Sequence, residues 1–410
     1  MSRHFFTLGL ALLISACAHQ KSIVPEIVQP PIQQCVPTAC PACPVCPVAE
    51  LPKPVALPFA IARWEDLPGW SGSIEKTLTP AFKALLASCN SLQKQAVWQV
   101  PCATARSLES PNEAALKSWF EDQMQPWQLV NPDGSREGLV TGYYEPVLKA
   151  SRSRRKPFLY PIYGVPSDLI DVELSDLYPE LKHMRLRGRI EGRKLVPYFT
   201  REEWDKSRQG KEDNVLVWAD DPLDVFFMQI QGSGQIQLDD GSRIRVNYAD
   251  QNGHPYRSIG RWLIDQGEIK IEQASMQGIR TWMHAHPKRA QELLDVNPSY
   301  VFFRELALDG EGPPGALGIP LTAERSIAID PKYLPLGVPV WLATTYPNSE
   351  HALTRLTLAQ DTGGAIRGVV RADFFWGSGN EAGIQAGKMR QKGQMWALLP
   401  RGYSPLATKK

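Results

Sequence analysis

The sequence predicts a mainly β fold, a compact barrel assembled from segments that are not adjacent in the chain. Three observations lead there. The C-terminal third breaks into short β-rich runs separated by Gly and Pro. A similar run, 139–147, stands far upstream, so one barrel would draw its pieces from both sides of a long middle stretch. A hydrophobic content of 43% is enough to bury a real core, which excludes a disordered chain. The net charge of +2 lacks the concentrated basic field that a nucleic-acid partner demands.

The N-terminus sets the expected compartment. Arg3 and His4 precede an apolar run, Phe5 to Ile14, that is far shorter than the roughly twenty residues a membrane-spanning helix needs. It fits the core of a secretory signal. The next residues, Ile14-Ser15-Ala16-Cys17, resemble a bacterial lipobox, which makes 1–16 a lipoprotein signal peptide and Cys17 the lipidated residue. Ala18 stands where an Asp would retain such a lipoprotein at the inner membrane. The expected location is therefore the periplasmic face of the outer membrane, held by acyl chains. An oxidising compartment favours disulfides among the other six cysteines. Cys89 and Cys102 fall in the globular part and are the expected pair. Cys35, Cys40, Cys43 and Cys46 include the CxxC spacing of a zinc or redox site. They lie among prolines with no histidine nearby, which suits linker disulfides or a plain tether better than a metal.

Residues 17–58 are rich in proline and read as an extended, semi-rigid tether. Beyond it, apolar residues at spacings of three and four (Phe82, Leu85, Leu86, Cys89, Leu92) predict an amphipathic helix over 79–95. A second helical candidate covers 113–127. Strands are expected at 139–147 (with a tight bend), 158–163, 215–219, 225–231 and 235–238. Asp240-Gly241 is a hairpin signal between Ile236 and Ile244. Short helices are expected at 256–265, 276–286 and 290–296. The last strands are 326–329, 338–342, 353–360, 369–375 and 395–399.

Three carboxylates close or lie in those last strands: Asp330, Asp361 before Thr362-Gly363-Gly364, and Asp373 before Phe374-Phe375-Trp376. Each has a plain alternative as a turn cap, since Asp at a strand end commonly bonds its own backbone. Asp373 differs in its aromatic flank. One neighbour would pack inward while others line a cleft, desolvating the carboxyl and raising its pKa as a proton donor requires. Asp361, beside two glycines, is expected to be more solvated and ionised. Two carboxyls in contrasting environments is the pattern of glycosidic-bond chemistry. His254 has no metal partner or serine nucleophile spaced around it and is expected to cap or pack. No phosphate loop, dinucleotide fingerprint or HExxH occurs, and no cofactor is expected.

Five ordered motifs carry a family likeness. They are Thr141-Gly142-Tyr143-Tyr144-Glu145-Pro146, Met228-Gln229-Ile230-Gln231-Gly232-Ser233-Gly234, Asn252-Gly253-His254-Pro255-Tyr256-Arg257-Ser258-Ile259-Gly260, Asn297-Pro298-Ser299-Tyr300-Val301-Phe302-Phe303 and Asp361-Thr362-Gly363-Gly364-Ala365-Ile366. With them the chain, from about Phe59 onward, resembles the membrane-bound lytic murein transglycosylase A family. Its C-terminal part resembles the module named for three aspartates, here Asp330, Asp361 and Asp373.

The resemblance implies a double-psi β-barrel built from 59–150 and 303–410. A smaller β-rich domain, 151–302, would be inserted between these parts, with a glycan groove where the two meet. It implies cleavage of the β-1,4 bond between N-acetylmuramic acid and N-acetylglucosamine in peptidoglycan, leaving 1,6-anhydromuramic acid ends. Asp373 would be the acid and Asp361 its supporting carboxylate. Thr141, Tyr143, Tyr144, Gln231, Gly232, Ser233, Gly234 and Asp330 are the expected substrate-binding residues. The expected partners are peptidoglycan strands, the outer membrane through the lipid anchor, and murein synthases. Two other readings stay open: a hydrolase on the same barrel, with Asp361 activating a water, and a non-catalytic peptidoglycan-binding lipoprotein.

Overall fold

A computed structural model describes residues 57–72, 78–181, 184–208, 212–308 and 312–406. The signal sequence, Cys17, nearly all of the tether, and Cys35, Cys40, Cys43 and Cys46 lie outside the described residues. No helix among the described residues is long and apolar enough to cross a membrane.

The chain opens with β1 (Phe59–Ile61), then α1 (Leu78–Leu92), α2 (Ala96–Arg106) and α3 (Glu113–Gln123), then β2 (Met124–Leu129). Helix α1 is the expected amphipathic one: Phe82, Leu85, Cys89 and Leu92 are all buried. The disulfide Cys89–Cys102 fastens it to α2. The second helical candidate stops at Gln123, and the residues after it form β2, paired with β1. Pro126 explains the change, because its ring and missing N–H cannot continue a helix.

Strand β3 (Gly138–Glu145) runs through Pro146 into β4 (Val147–Ser151). The middle stretch then supplies β5 (Tyr160–Tyr163), β6 (Ile170–Asp171), β7 (Arg187–Glu191), β8 (Lys194–Pro197), α4 (Arg201–Ser207), β9 (Val215–Ala219), α5 (Pro222–Gln231), β10 (Ser233–Leu238), β11 (Arg243–Gln251), α6 (Ile259–Asp265), α7 (Met276–Ala285), α8 (Ala290–Asp295) and β12 (Val301–Ala307). Six of these strands form one sheet in the order β12-β11-β10-β4-β9-β5, and β6-β7-β8 form a small second one. The expected hairpin is present, with Ile236 paired to Ile244 and Gly241 at φ +86°.

One expected strand, 225–231, is helical instead. Asp221 Oδ1 accepts from the backbone N–H of Leu223 and Asp224, Pro222 occupies the first turn, and Gly232 ends α5 at φ +81°. These start and stop signals outweigh an apolar run too short for its periodicity to distinguish strand from helix.

The last segment contributes β13 (Ser326–Ile329), β14 (Pro339–Thr345), β15 (Ala352–Thr362), β16 (Arg371–Ser378), α9 (Gly379–Lys388) and β17 (Arg390–Pro400). Six strands close on themselves as β3-β17-β14-β15-β13-β16 and back to β3. The long β17 makes this possible: residues 390–393 pair with β3, while 394–397 pair with β14. Two pairings are parallel, β13 with β15 and β16 with β3; the rest of the ring is antiparallel. Val140, Ile327, Val340, Leu358, Phe374 and Met395 fill the core, and α1 covers its β15 side. There the fully buried Gln360 donates to Ala84 O and Ser88 Oγ and accepts from Ser326 Oγ.

Candidate active site

The barrel register sets the site. Ala328 on β13 is the register partner of Asp361 on β15 and of Asp373 on β16, and Asp373 is the partner of Thr141 on β3. Four strands thus present one row: Asp361, Ala328, Asp373, Thr141. Two strand spacings place the Asp361 and Asp373 backbones roughly 10 Å apart. Ala328 between them is 3% exposed, packed among Tyr143, Leu321, Ile366 and Phe375.

Thr141 Oγ1 donates to Asp373 Oδ1 at 2.6 Å, and Arg371 Nη2 donates to Thr141 Oγ1 at 2.9 Å. A guanidinium only donates, so the single hydroxyl proton of Thr141 goes to Asp373. Burial pushes the Asp373 carboxyl up to about 6, helped by the negative charge of Asp361 and opposed by the Thr141 hydroxyl and the Arg371 cation. This is the elevated acid that the aromatic flank suggested, though by another arrangement. Phe374 and Trp376 point into the barrel core and do not line a cleft. Phe375, on the same face as Asp373, is buried against Tyr143, their ring centres 5.1 Å apart.

Asp361 departs from its expected solvated state. Its carboxyl accepts from Tyr143 Oη at 3.0 Å, Ala316 N at 2.9 Å and Thr362 N at 2.9 Å. Burial still raises it above the ordinary range, against the pull of those three donors. The two carboxyls therefore differ in their donors, not in which one is desolvated. Asp361 is held by three, whereas Asp373 has one hydroxyl and a nearby cation.

The other expected substrate residues are placed differently. Strand alternation puts Tyr144 on the opposite side of β3 from Tyr143, packed against the barrel core with its ring over Gly383. The segment 231–234, expected as an open groove loop, is a helix end and a strand start. Gln231 Oε1 accepts from Tyr144 N at 3.0 Å, Gly232 is the C-cap, the buried Ser233 pairs with Asn247, and Gly234 lies too close to Met228 Sδ for a side chain. Asp330 is 5% exposed, and its carboxylate accepts from Lys332 N and Gly368 N. It braces the turn after β13 against the 363–370 loop, so its turn-capping alternative describes it. His254 packs as expected, with Nε2 2.7 Å from Tyr198 O.

Two features were missed in the sequence. Arg371 lies two residues before Asp373, hence on the same strand face, a signal that was available. Glu145, fully buried, pairs with Arg245 Nε at 2.6 Å and also accepts from Gln235 Nε2 and Ser378 Oγ. This cluster joins β3 and β16 to β10 and β11, and only the folded chain brings its members together.

Two family models match the chain: the MltA specific insert domain over residues 139–304 and the 3D domain over residues 325–399. The membrane-bound lytic murein transglycosylase A of Escherichia coli (strain K12) is 36% identical over 280 residues, spanning 66% of this chain and 68% of the relative. The chain belongs to the membrane-bound lytic murein transglycosylase A family. Among solved structures, MltA from Neisseria gonorrhoeae in its monoclinic form matches with a TM-score of 0.73 at 40% identity, covering 84% of this chain and 93% of that one. E. coli MltA with bound chitohexaose matches with a TM-score of 0.63 at 27% identity, covering 85% and 96%. Within this MltA-family chain, the 3D domain match contains Asp330, Asp361 and Asp373, and the insert-domain match contains Thr141 and Tyr143.

Proposed function

We propose that this chain is a lytic transglycosylase that cleaves the β-1,4 bond between N-acetylmuramic acid and N-acetylglucosamine of peptidoglycan. Asp373 would be its only proton-transfer group. One observation carries the assignment: in a member of this family, Asp373 has its carboxyl raised to about 6 and a single directed donor, Thr141, at 2.6 Å. Such an acid can give a proton near neutrality and take one back.

In the first step the Asp373 carboxyl donates its proton to the glycosidic oxygen. The C1–O bond breaks, the N-acetylglucosamine end leaves as an alcohol, and positive charge develops at C1 of the muramic acid. In the second step the Asp373 carboxylate accepts the proton of the muramoyl C6 hydroxyl. That oxygen bonds to C1 of the same ring, closing the 1,6-anhydro product. Attack within one ring has a very high effective molarity, so no water need be activated. Asp361, fixed by Tyr143, Ala316 and Thr362, supports the developing charge and sustains the raised pKa of Asp373. The segment 231–234 contributes by fixing β3 through Gln231.

The remaining finer points belong to the same reading. The six-stranded ring, with its two parallel pairings, is taken as a double-psi barrel built from 59–150 and 303–410. Residues 151–302 are taken as the inserted domain, and the glycan strand as lying between them over the Asp361–Thr141 row. Chitohexaose bound to the E. coli family member supports a glycan strand as ligand. Cys17 and the proline-rich 17–58 would tether the enzyme to the periplasmic face of the outer membrane, in reach of murein synthases. Mass spectrometry of products from purified sacculi tests the reaction. Anhydromuramic ends are expected; reducing muramic acid would indicate a hydrolase, and the absence of soluble products a binding protein.

A further inference from the structure

A cavity of about 210 Å³ lies away from the catalytic row, bounded by β5, α4, α5 and α8. Neither Asp373, Asp361, Thr141 nor Tyr143 lines it. Its walls include Tyr163, Trp218 and Tyr300; of the charged residues that line it, Arg154 and Arg208 are paired with Glu212 and Asp213, while Arg201 and, one helical turn on, Asp205 form no ion pair among the described residues.

Arg201 is 5% exposed, with its guanidinium 4.8 Å from the ring centres of both Phe226 and Tyr300. Its Nε donates to Asn297 O at 3.1 Å, and its Nη2 donates to Gln229 Oε1 at 2.5 Å and Ser299 O at 2.7 Å. All three acceptors are neutral, Nη1 is left over, and no described carboxylate forms an ion pair with this cation. Asp205 is the converse. Its carboxylate accepts one long bond, from Gln291 Nε2 at 3.3 Å, and meets no described cation at ion-pair distance. Burial pushes it up to about 6. A buried charge without an ion-pair partner is costly, as Arg201 is here, and the partly exposed Asp205 borders the same space without pairing with it.

We propose that this cavity is a second ligand site, which takes a small zwitterion by placing its carboxylate on Arg201 Nη1 and its ammonium on Asp205. The aromatic walls suit the short aliphatic part of such a molecule. An ammonium and a carboxylate on one carbon occur in free amino acids and at the diaminopimelate end of peptidoglycan stem peptides. We assign the site to the stem peptide, a choice that rests on the proposed peptidoglycan substrate. The site would then hold a peptide-bearing strand while the row at Asp373 holds its glycan.

Calorimetric titration of the full chain tests this with three probes: a stem tripeptide ending in diaminopimelate, free diaminopimelate, and pimelate, which has the carboxylates without the ammonium groups. Saturable tripeptide binding is expected, weakened about tenfold or more in Asp205→Asn, with pimelate silent. Unchanged thermal unfolding of unliganded Asp205→Asn would show that the loss is local. Binding of free diaminopimelate without the tripeptide overturns the peptide assignment. No binding of either, equal binding by Asp205→Asn, or binding of pimelate overturns the site. Asp373→Asn should bind the tripeptide like wild type, so failure of the proposed reaction and failure of this site are read separately.

Discussion

Thr141 and Asp373 are register partners on adjacent parallel strands, and the Thr141 hydroxyl donates to the Asp373 carboxylate at 2.6 Å. Because Arg371 occupies the Thr141 oxygen from the other side, that donation has one direction. Replacing Thr141 by Val removes a group that lowers the Asp373 pKa. The expected result is an alkaline limb of kcat/KM moved to higher pH, by about half a unit to one unit. A pH–rate profile on solubilised glycan strands checks this, and an unmoved limb would separate Thr141 from the acid.

Asp361→Asn should act in the opposite sense. It removes a negative charge that raises the Asp373 pKa, so the alkaline limb moves to lower pH. In the proposed mechanism Asp361 moves no proton, so the variant should still yield anhydromuramic ends at a reduced rate. Complete loss of turnover would instead favour Asp361 as a base that activates water.

The elevated acid also bears on stability. Asp373 has a folded-state value of about 6 against an ordinary 3.8, so the folded protein keeps a proton that the unfolded chain releases between those values. Stability is therefore lost as pH rises through that window, and the whole penalty is present above it. Asp373→Asn should be more stable than wild type at about pH 8, by roughly 1–3 kcal/mol, and no more stable at about pH 3. Chemical denaturation at the two pH values measures the difference.

The Glu145–Arg245 pair links β3 to β11 with both side chains buried. Arg245→Met leaves Glu145 charged and without its cation, at an expected cost of about 3–5 kcal/mol. Adding Glu145→Gln should restore much of that loss, since Gln235 and Ser378, which also bond Glu145, are neutral. Thermal unfolding of the single and double variants gives the comparison, and equal melting temperatures would contradict the pairing energetics.

Much of the closed ring was legible, since 338–342 and 369–375 are apolar runs beside Gly or Pro, and Asp240-Gly241 marked its hairpin correctly; residues 390–393 of β17, which close the ring, carried no strand signal. Other elements were hidden by local composition. Helix α5 was read as a strand from Val225 to Gln231, although Asp221, Pro222 and Gly232 frame it as a helix. Helix α9 contains Gly379, Gly383 and Gly387, which weaken any helical signal; Gly383 is needed because a side chain there would strike the Tyr144 ring. At the site, the raised carboxyl expected of Asp373 is present, but Phe374 and Trp376 lie in the barrel core and do not line a cleft beside it. The state of Asp361 was not legible, because Tyr143 and Ala316 reach it from distant parts of the chain.

Turnover by Asp373→Asn, measured beside wild type on purified sacculi with binding assayed on the same samples, bears most directly on the mechanism. Asn keeps the shape of the side chain but cannot give up or regain the proton. Loss of anhydromuropeptide release by about a thousandfold or more, with sacculus binding retained, is the expected result. Release at a rate near wild type would place the acid elsewhere and contradict the assignment of Asp373.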